Sequence, residues 1–317
     1  MDVSTIKSLA DRIARNMNKV IVGKEDTILK VIVTLICSGH VLIEDVPGTG
    51  KTMLAKSIAK SIQANFKRIQ FTPDLLPSDL TGINYYNQKT GEFVFREGPV
   101  FTNILLADEI NRATPRTQSS LLECMAEKQV TIDGNTMKLS LPFFVIATQN
   151  PVETQGTFPL PEAQMDRFFM RLRMGYPNTE EESGILSRFI LEDPLETLEQ
   201  ICNSEDIVQA QNLYKQVHVS DDVKDYIVKI IFGTRNHDRI LLGVSPRGSL
   251  ALMNAAQAYA AIRGRDYVTP DDVKKMAPSI LAHRLILRGH SISTGVENAE
   301  LVIEDLLKKV PVPTEKI

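Results

Sequence analysis

The sequence predicts a three-layer α/β domain with a five-stranded parallel sheet, followed by an all-helical domain. Short, fully apolar runs alternate with helical patterns in the first part of the chain, as they do where buried parallel strands are joined by crossover helices. After Pro177 the pattern becomes helical, with polar connectors. We therefore place a boundary near residue 178 and predict domains over 1–178 and 179–317.

The chain begins with an amphipathic helix, because apolar side chains recur at helical spacing through Ile6, Leu9 and Ile13. A second helical segment follows over about 25–36. Charged residues interrupt the first segment, so it does not have the apolar core of a secretory signal. The most apolar stretch, 31–43, is too short to span a bilayer, and we expect a cytoplasmic protein.

Five apolar runs are the predicted strands of the sheet, and two pairs of alternating segments interrupt them. Each pair flanks a turn signal, which predicts a β-hairpin. In the helical domain, Thr269-Pro270-Asp271-Asp272 supplies a capping residue, a proline and first-turn acids, so a helix should begin there. The strands are predicted at residues 40–44, 66–71, 103–107, 143–148 and 168–174, and the hairpins at 83–95 and 130–139.

The charge balance and the cysteines exclude some classes of function. The chain has 36 basic and 39 acidic side chains, a formal net charge of −3, so it does not have the basic surplus of a dedicated nucleic-acid binder. Cys37, Cys124 and Cys202 lie far apart, and the five histidines are scattered. This spacing argues against a zinc site or a disulfide framework.

A phosphate-binding loop is predicted between the first strand and the helix after it. Residues 44–52 read EDVPGTGKT, which follows the pattern GxxxxGK[ST] except that Asp45 replaces the first glycine. Aspartate tolerates the left-handed backbone better than most residues, so we expect the turn to form. Lys51 would contact the phosphates of ATP, and Thr52 would ligate Mg²⁺. The predicted nucleotide-binding residues of the loop are Pro47, Gly48, Thr49, Gly50, Lys51, Thr52 and Met53.

An apolar strand that ends in two acids, residues 104–109, completes the predicted phosphate site. Asp108 would hold Mg²⁺, and Glu109 would orient and deprotonate the attacking water. Acids at an ordinary helix start are the alternative interpretation.

The order of these motifs resembles the AAA+ superfamily, and their detail resembles its MoxR family. The resemblance covers nearly the whole chain, and the two hairpins match the helix-2 and pre-sensor-1 insertions of such proteins. Its further motifs are LADEINRA at 106–113, ATQNP at 147–151, LPEAQMDRF at 160–168 and SPRG at 245–248.

The resemblance implies roles for residues outside the loop. Asn150 matches sensor 1, which would position the attacking water, although an asparagine before a proline also suits a turn. Arg247 matches sensor 2, and whether it serves its own subunit or a neighbour stays open. Val22 and Gly23 match the segment that borders adenine, and an ordinary buried turn is the alternative.

Arg167 occupies the position of an arginine finger, which would stabilise charge on the transferred phosphate in a neighbouring subunit. An ion pair with Glu162 or Asp166 is the alternative, and Arg171 and Arg173 are nearby candidates for the same role. An arginine supplied by a neighbour implies a homo-oligomeric ring, by analogy a hexamer.

The function implied by the resemblance is ATP hydrolysis that remodels or matures a client protein with a von Willebrand A domain, or inserts its metal cofactor. Tyr85, Tyr86, Phe93 and Phe95 of the first hairpin could contact such a client, although we favour packing in the core for Phe93 and Phe95. Three alternatives stay open: a nucleotide-dependent scaffold with slow hydrolysis, a magnesium-chelatase-like subunit, and a DNA-acting motor. The acidic charge balance argues against the last.

Overall fold

A computed structural model describes residues 3–152, 156–190, 193–288 and 295–313. One-turn helices lie at Ile110–Arg112, Tyr214–Gln216 and Ala282–Arg284. The α-helices are α1 (Val3–Met17), α2 (Glu25–Ile36), α3 (Lys51–Ser61), α4 (Pro77–Thr81), α5 (Pro115–Glu127), α6 (Glu162–Met165), α7 (Thr179–Phe189), α8 (Ser204–Leu213), α9 (Asp221–Arg235), α10 (Pro246–Ile262), α11 (Pro270–Leu281) and α12 (Gly295–Lys309). The strands are β1 (Val41–Glu44), β2 (Phe66–Gln70), β3 (Gly82–Asn87), β4 (Glu92–Glu97), β5 (Ile104–Asp108), β6 (Gln129–Ile132), β7 (Asn135–Lys138), β8 (Phe144–Gln149), β9 (Met170–Leu172), β10 (Ile240–Leu242) and β11 (Ile286–Leu287).

The central sheet has five parallel strands in the order β2-β5-β8-β1-β9, which confirms the predicted fold class. Its register pairs Val41 with Ile146 and Leu106 with Ile146, so β8 lies between β1 and β5. Because all five strands run the same way, the loops after β1, β5 and β8 meet at one edge of the sheet.

Two apolar clusters cover the two faces of this sheet. Alternate residues of a strand point to opposite faces, so Ile104 and Leu106 belong to one cluster and Leu105 and Ala107 to the other. The first cluster also contains Leu54 and Ile58 of α3 and Ile62 directly after it, which are fully buried as their four-residue spacing indicates. The second cluster lies under α5.

Both predicted hairpins form, β3 with β4 and β6 with β7. An Asn84 side-chain amide donates to the Asp133 carboxylate at 2.7 Å and so joins the two hairpins. The core packing that we favoured for Phe93 is wrong, because this side chain is 75% exposed, and its ring meets that of Tyr86 edge-to-face. Phe95 is half-buried and packs edge-to-face on Phe101.

The second part of the chain is helical from α7 to α12, with one addition. The short strands β10 and β11 pair as an antiparallel ribbon, which three- and two-residue apolar runs were too short to reveal. Helix α1 packs on α3 of the α/β domain and also on α10 of the helical domain. Within the described ranges, no helix combines the length and the apolar character needed to cross a membrane.

Candidate functional site

A cavity of about 280 Å³ lies at the carboxyl edge of the sheet, where the loops after β1, β5 and β8 meet. Its wall combines backbone from a glycine-rich turn with acidic, basic and amide side chains. Such convergence of polar groups in a concave site is typical of a ligand site. The lining residues are Asp45, Pro47, Gly48, Gly50, Lys51, Thr52, Met53, Arg68, Gln70, Asp108, Glu109, Thr148, Gln149 and Asn150.

The turn between β1 and α3 depends on two glycines in the left-handed region. Gly48 has φ 85° and Gly50 has φ 88°, conformations that strain any residue with a side chain. A Cβ on Gly48 would meet no atom within 4 Å, so the open space beside this glycine belongs to the cavity. The turn leads directly into α3, whose first N–H groups face outward from the helix end.

Asp45 replaces the first glycine of the motif for a reason that differs from our expectation. Its backbone is not among the left-handed residues of the described chain. Instead its buried carboxylate accepts hydrogen bonds from the backbone N–H groups of Met174 and Gly175, at 2.9 and 2.7 Å. Its other oxygen accepts from Val46 N at 2.9 Å. Asp45 therefore ties the start of the loop to the segment after β9.

The ammonium group of Lys51 lies inside the loop, where it donates to the carbonyl oxygens of Asp45 and Val46 at 3.0 and 2.6 Å. Burial lowers the pKa of Lys51, and the negative charges of Asp45, Asp108 and Glu109 oppose that shift. A cation held this way faces the cavity beside the open turn, where a phosphate group would replace the carbonyl oxygens as its partner.

Asp108 ends β5 with both carboxylate oxygens engaged. Oδ1 accepts from the Thr148 hydroxyl at 2.6 Å, and Oδ2 accepts from the Arg68 guanidinium at 2.6 and 3.2 Å. Thr148 is on β8 and Arg68 is on β2, so the two strands next to β5 orient this carboxylate.

Glu109 follows at φ 56° and ψ 51°, a strained conformation for a glutamate. Its N–H donates to the Thr148 hydroxyl at 2.8 Å, and its carboxylate accepts from the Gln70 amide at 2.6 Å and lies 3.0 Å from Arg112. The left-handed backbone turns this carboxylate off the strand direction and towards the cavity that it lines. Backbone strain of this kind is concentrated at functional sites.

The structure brings most of the predicted site residues together, and it adds five. The cavity wall contains the loop residues except Thr49, together with Asp108, Glu109 and Asn150. It also contains Asp45, Arg68, Gln70, Thr148 and Gln149, which were not among the predicted site residues. Alternate polar side chains at Arg68 and Gln70, on a strand beside two acids, are the signal that could have found two of them.

Besides Thr49, four predicted residues do not line this cavity: Val22, Gly23, Arg167 and Arg247. Val22 and Gly23 pack against α7, where a Cβ on Gly23 would collide with the Glu181 side chain.

Arg167 is exposed between α6 and β9, and Arg247 is 62% exposed at the start of α10. Arg247 lies 3.7 Å from the Asp166 carboxylate, so both arginines are near one residue. Arg171 was an alternative candidate for the arginine finger. It is buried, with its guanidinium 3.7 Å from the Glu44 carboxylate, and cannot present its side chain to another subunit.

Comparison with family models assigns the two parts of the chain. Residues 40–170 match the model described as "ATPase family associated with various cellular activities (AAA)", and residues 233–306 match the model described as "AAA lid domain". Together with the cavity, these matches define an AAA+ ATPase with a helical lid.

Relatives of similar length narrow the class to one family. The chain is 53% identical to the uncharacterized protein YeaC of Bacillus subtilis, covering 97% of this chain and 96% of that one. It is 40% identical to Chaperone MoxR1 of Mycobacterium tuberculosis, covering 96% and 82%. A crystal structure of a candidate ATPase from Cytophaga hutchinsonii superimposes with a TM-score of 0.90 at 39% identity, covering 98% and 97%. The chain belongs to the MoxR family of AAA+ ATPases.

Proposed function

We propose that this ATPase works with Mg²⁺ in a homo-oligomeric ring, most simply a hexamer, and uses ATP hydrolysis to remodel or mature a client protein. The observation that carries the proposal is the convergence of Lys51, Asp108, Glu109 and Asn150 on one cavity beside an open glycine turn. A 40% identical relative is named a chaperone, which supports the remodelling role.

The cavity suits a nucleotide with a hard divalent cation. The Thr52 hydroxyl and the Asp108 carboxylate both line it, and oxygen ligands of this kind are those that Mg²⁺ prefers. When bound, Mg²⁺ would neutralise charge that develops on the transferred phosphate. Lys51 and the N–H groups of the loop would hold the phosphates, and the positive end of α3 would favour their negative charge.

Glu109 and Asn150 act on the attacking water in this proposal. The Gln70 amide and the Arg112 guanidinium hold the Glu109 carboxylate in place, where it can accept a proton from the water. The amide of Asn150, at the end of the adjacent strand β8, would orient the same water.

Arg167 and Arg247 serve a neighbouring subunit in this proposal. Both are exposed, both lie near Asp166, and neither lines the cavity of its own chain. An arginine that reaches a neighbour's phosphates completes that site only in the assembled ring, and such a residue is worth about 10³–10⁵ in rate where measured in other phosphate-transfer enzymes.

The client would meet the first hairpin, where the side chains of Tyr85, Tyr86 and Phe93 are exposed. Exposed aromatic side chains of this kind are enriched at protein interfaces. A client with a von Willebrand A domain is the partner that the family resemblance implies. The domain boundary near residue 178, the contact of Val22 and Gly23 with adenine, and a cytoplasmic location stay predictions.

The test is the rate of ATP hydrolysis per subunit over a range of protein concentrations, with Glu109→Gln as the inactive control. We expect the specific rate to rise with concentration, because sites are completed between subunits. A measurable rate that stays constant while the protein dissociates would contradict the role of Arg167 in a neighbour's site. Tight ATP binding without hydrolysis, at every concentration, would favour the scaffold alternative.

A further inference from the structure

One lid residue holds the short segment that carries Arg167. Arg284 ends the one-turn helix Ala282–Arg284, and its side chain is 3% exposed. Its guanidinium donates to Asp166 Oδ1 at 2.7 Å and to the carbonyl oxygens of Asp166 and Phe168 at 3.3 and 2.8 Å. It also donates to the carbonyl oxygen of Phe169 at 3.2 Å. These acceptors lie on both sides of Arg167 in the chain.

The segment lies outside regular secondary structure, because α6 ends at Met165 and β9 begins only at Met170. Between them the backbone of Arg167 makes a single-turn contact, from its N–H to Gln164 O at 3.1 Å. A buried guanidinium is stable only when it is paired, so its position and that of its acceptors are fixed together. Burial lowers the pKa of Arg284 to about 10, and the Asp166 carboxylate opposes the shift, so the side chain stays charged at neutral pH.

The same carboxylate reaches the second exposed arginine. Asp166 Oδ2 lies 3.7 Å from Arg247 and accepts from the Ser245 hydroxyl at 3.4 Å. Asp166 is therefore bonded through one oxygen to Arg284, and it contacts Ser245 and Arg247 at the start of α10 through the other.

We propose that Asp166 and Arg284 form a positioning pair that sets Arg167 and Arg247 for the ATP of the neighbouring subunit. This inference rests on the proposed role of Arg167 in a neighbour's site. Neither member of the pair touches nucleotide. Arg284 fixes the backbone on both sides of Arg167, and Asp166 holds Arg247. A displacement of Asp166 or Arg284 therefore moves both arginines together and changes hydrolysis in the next subunit rather than in its own.

The test uses Asp166→Asn, which keeps the size of a side chain that is 20% exposed and removes its charge. We expect kcat to fall about 10- to 100-fold, because a small misplacement of a catalytic group costs that much, with the KM for ATP little changed. Arg265→Gln is the matched control. It breaks another lid ion pair, to Asp272 at 2.6 Å, which does not touch the segment around Arg167, and its kcat should be normal.

Mixed rings separate positioning from simple damage. Glu109→Gln subunits cannot hydrolyse ATP but keep Arg167 and its support, so they should restore activity to neighbouring Asp166→Asn sites. With random mixing in equal amounts, about one quarter of the subunit interfaces would combine an intact donor with an intact acceptor. Arg167→Ala mixed with Glu109→Gln is the reference, because it tests the finger itself. Thermal unfolding and the affinity for a fluorescent ATP analogue check that each variant is folded.

Restored activity in both mixtures supports the positioning pair. Restoration with Arg167→Ala but not with Asp166→Asn, or a normal kcat for Asp166→Asn, would overturn the pair and leave the proposed function intact. An Arg167→Ala mixture that stays inactive would overturn the pair together with the role of the finger in a neighbour's site.

Discussion

Polar side chains of the cavity at the carboxyl end of the central sheet differ in exposure and in bonding from His40 and Asn103 at its amino end. At the carboxyl end, Lys51, Asp108 and Glu109 carry ionisable side chains that are partly exposed and line the cavity. Each is hydrogen-bonded to a polar group beside it, namely Val46 O, the Arg68 guanidinium and the Gln70 amide. At the amino end, His40 and Asn103 are neutral, buried and bonded to backbone. At His40 and Asn103 the hydrogen bonds are buried within the protein, whereas the cavity residues can exchange their partners for a ligand.

The amino end shows how complete this fixation is. His40, just before β1, accepts from Val145 N and donates to Met125 O, both at 3.0 Å. Asn103, just before β5, accepts from Asn65 N and donates to Pro142 O, both at 3.2 Å. Each side chain joins segments that are distant in sequence, so these bonds hold strand to helix and loop.

This difference indicates where a side chain can exchange its hydrogen-bond partners for those of a ligand. Charged groups at the carboxyl end can give up protein partners for phosphate, cation or water at little cost, because they are already partly solvated. Neutral buried groups cannot, since an unpaired buried donor or acceptor costs about 1–3 kcal/mol. Substitutions of the cavity residues at the carboxyl end should therefore change turnover, and substitutions of the buried His40 and Asn103 at the amino end should change stability.

The largest effect is expected for Lys51→Met at the carboxyl end. Loss of a phosphate-binding cation should lower kcat/KM for ATP about a thousand-fold, with little change in the unfolding temperature. Steady-state hydrolysis and binding of a fluorescent ATP analogue would measure this. Lys56→Met, an exposed lysine on the same helix, is the control and should be fully active. A Lys51→Met protein that binds and hydrolyses ATP normally would contradict the role of Lys51 as a phosphate-binding cation.

His40 makes the amino end sensitive to acid. Burial lowers its pKa from the ordinary 6.5 to about 4, so the unfolded chain binds more protons than the folded chain between these values. The free energy of unfolding should therefore fall by up to about 3 kcal/mol as the pH drops through this window, and it should be fully present above it.

Denaturant unfolding of His40→Gln, across the same pH window, isolates this contribution. Glutamine cannot take up the proton, so the acid-dependent loss should shrink by about 3 kcal/mol relative to the natural protein. Other buried groups, including His283, are the same in both proteins. His237→Gln, at a half-exposed site, should keep the natural pH dependence. An unchanged acid response in His40→Gln would show that His40 is not the sensitive group.

Asn103→Ala should cost stability of about 1–3 kcal/mol, because Asn65 N–H and Pro142 O lose a buried partner. Chemical unfolding at neutral pH gives the loss, and Asn135→Ala on an exposed hairpin strand is the matched control. The kcat of folded Asn103→Ala should equal that of the natural protein. A reduced kcat at full stability would mean that Asn103 also contributes to turnover.

The smallest effect on the isolated protein is expected for Phe93→Ser. The side chain is 75% exposed, so unfolding should change by less than about 0.5 kcal/mol and basal hydrolysis should not change. Stimulation of hydrolysis by a client domain should fall, while Val228→Ser, an exposed apolar control on α9, should behave like the natural protein. If the client domain stimulates hydrolysis by Phe93→Ser as strongly as by the natural protein, the hairpin does not bind the client through Phe93.

Local patterns carried much of the fold. All five strands and both hairpins were predicted because each depends on a short run of periodicity or on a turn signal such as Asp133-Gly134. The loop residues from Pro47 to Met53 were predicted in the same way, since their motif is contiguous, and all but Thr49 line the cavity.

Contacts between distant segments were not visible. The bonds of Asp45 to Met174 and Gly175 cross about 130 residues of chain, and no local rule specifies them. Arg68 and Gln70 lie on a strand whose alternation indicates only that one side is polar. The exposure of Phe93 depends on what the hairpin packs against, which its own sequence does not state.

The double contact of α1, on α3 and on α10, has a mechanical consequence. One continuous apolar cluster runs from the sheet through α1 into the lid, so swinging the lid away would expose it to water. A hinge between the two parts of a single chain is therefore costly. In the proposed ring, we expect each chain to rotate as a stiff block, and the stroke driven by ATP to open and close the seams between blocks.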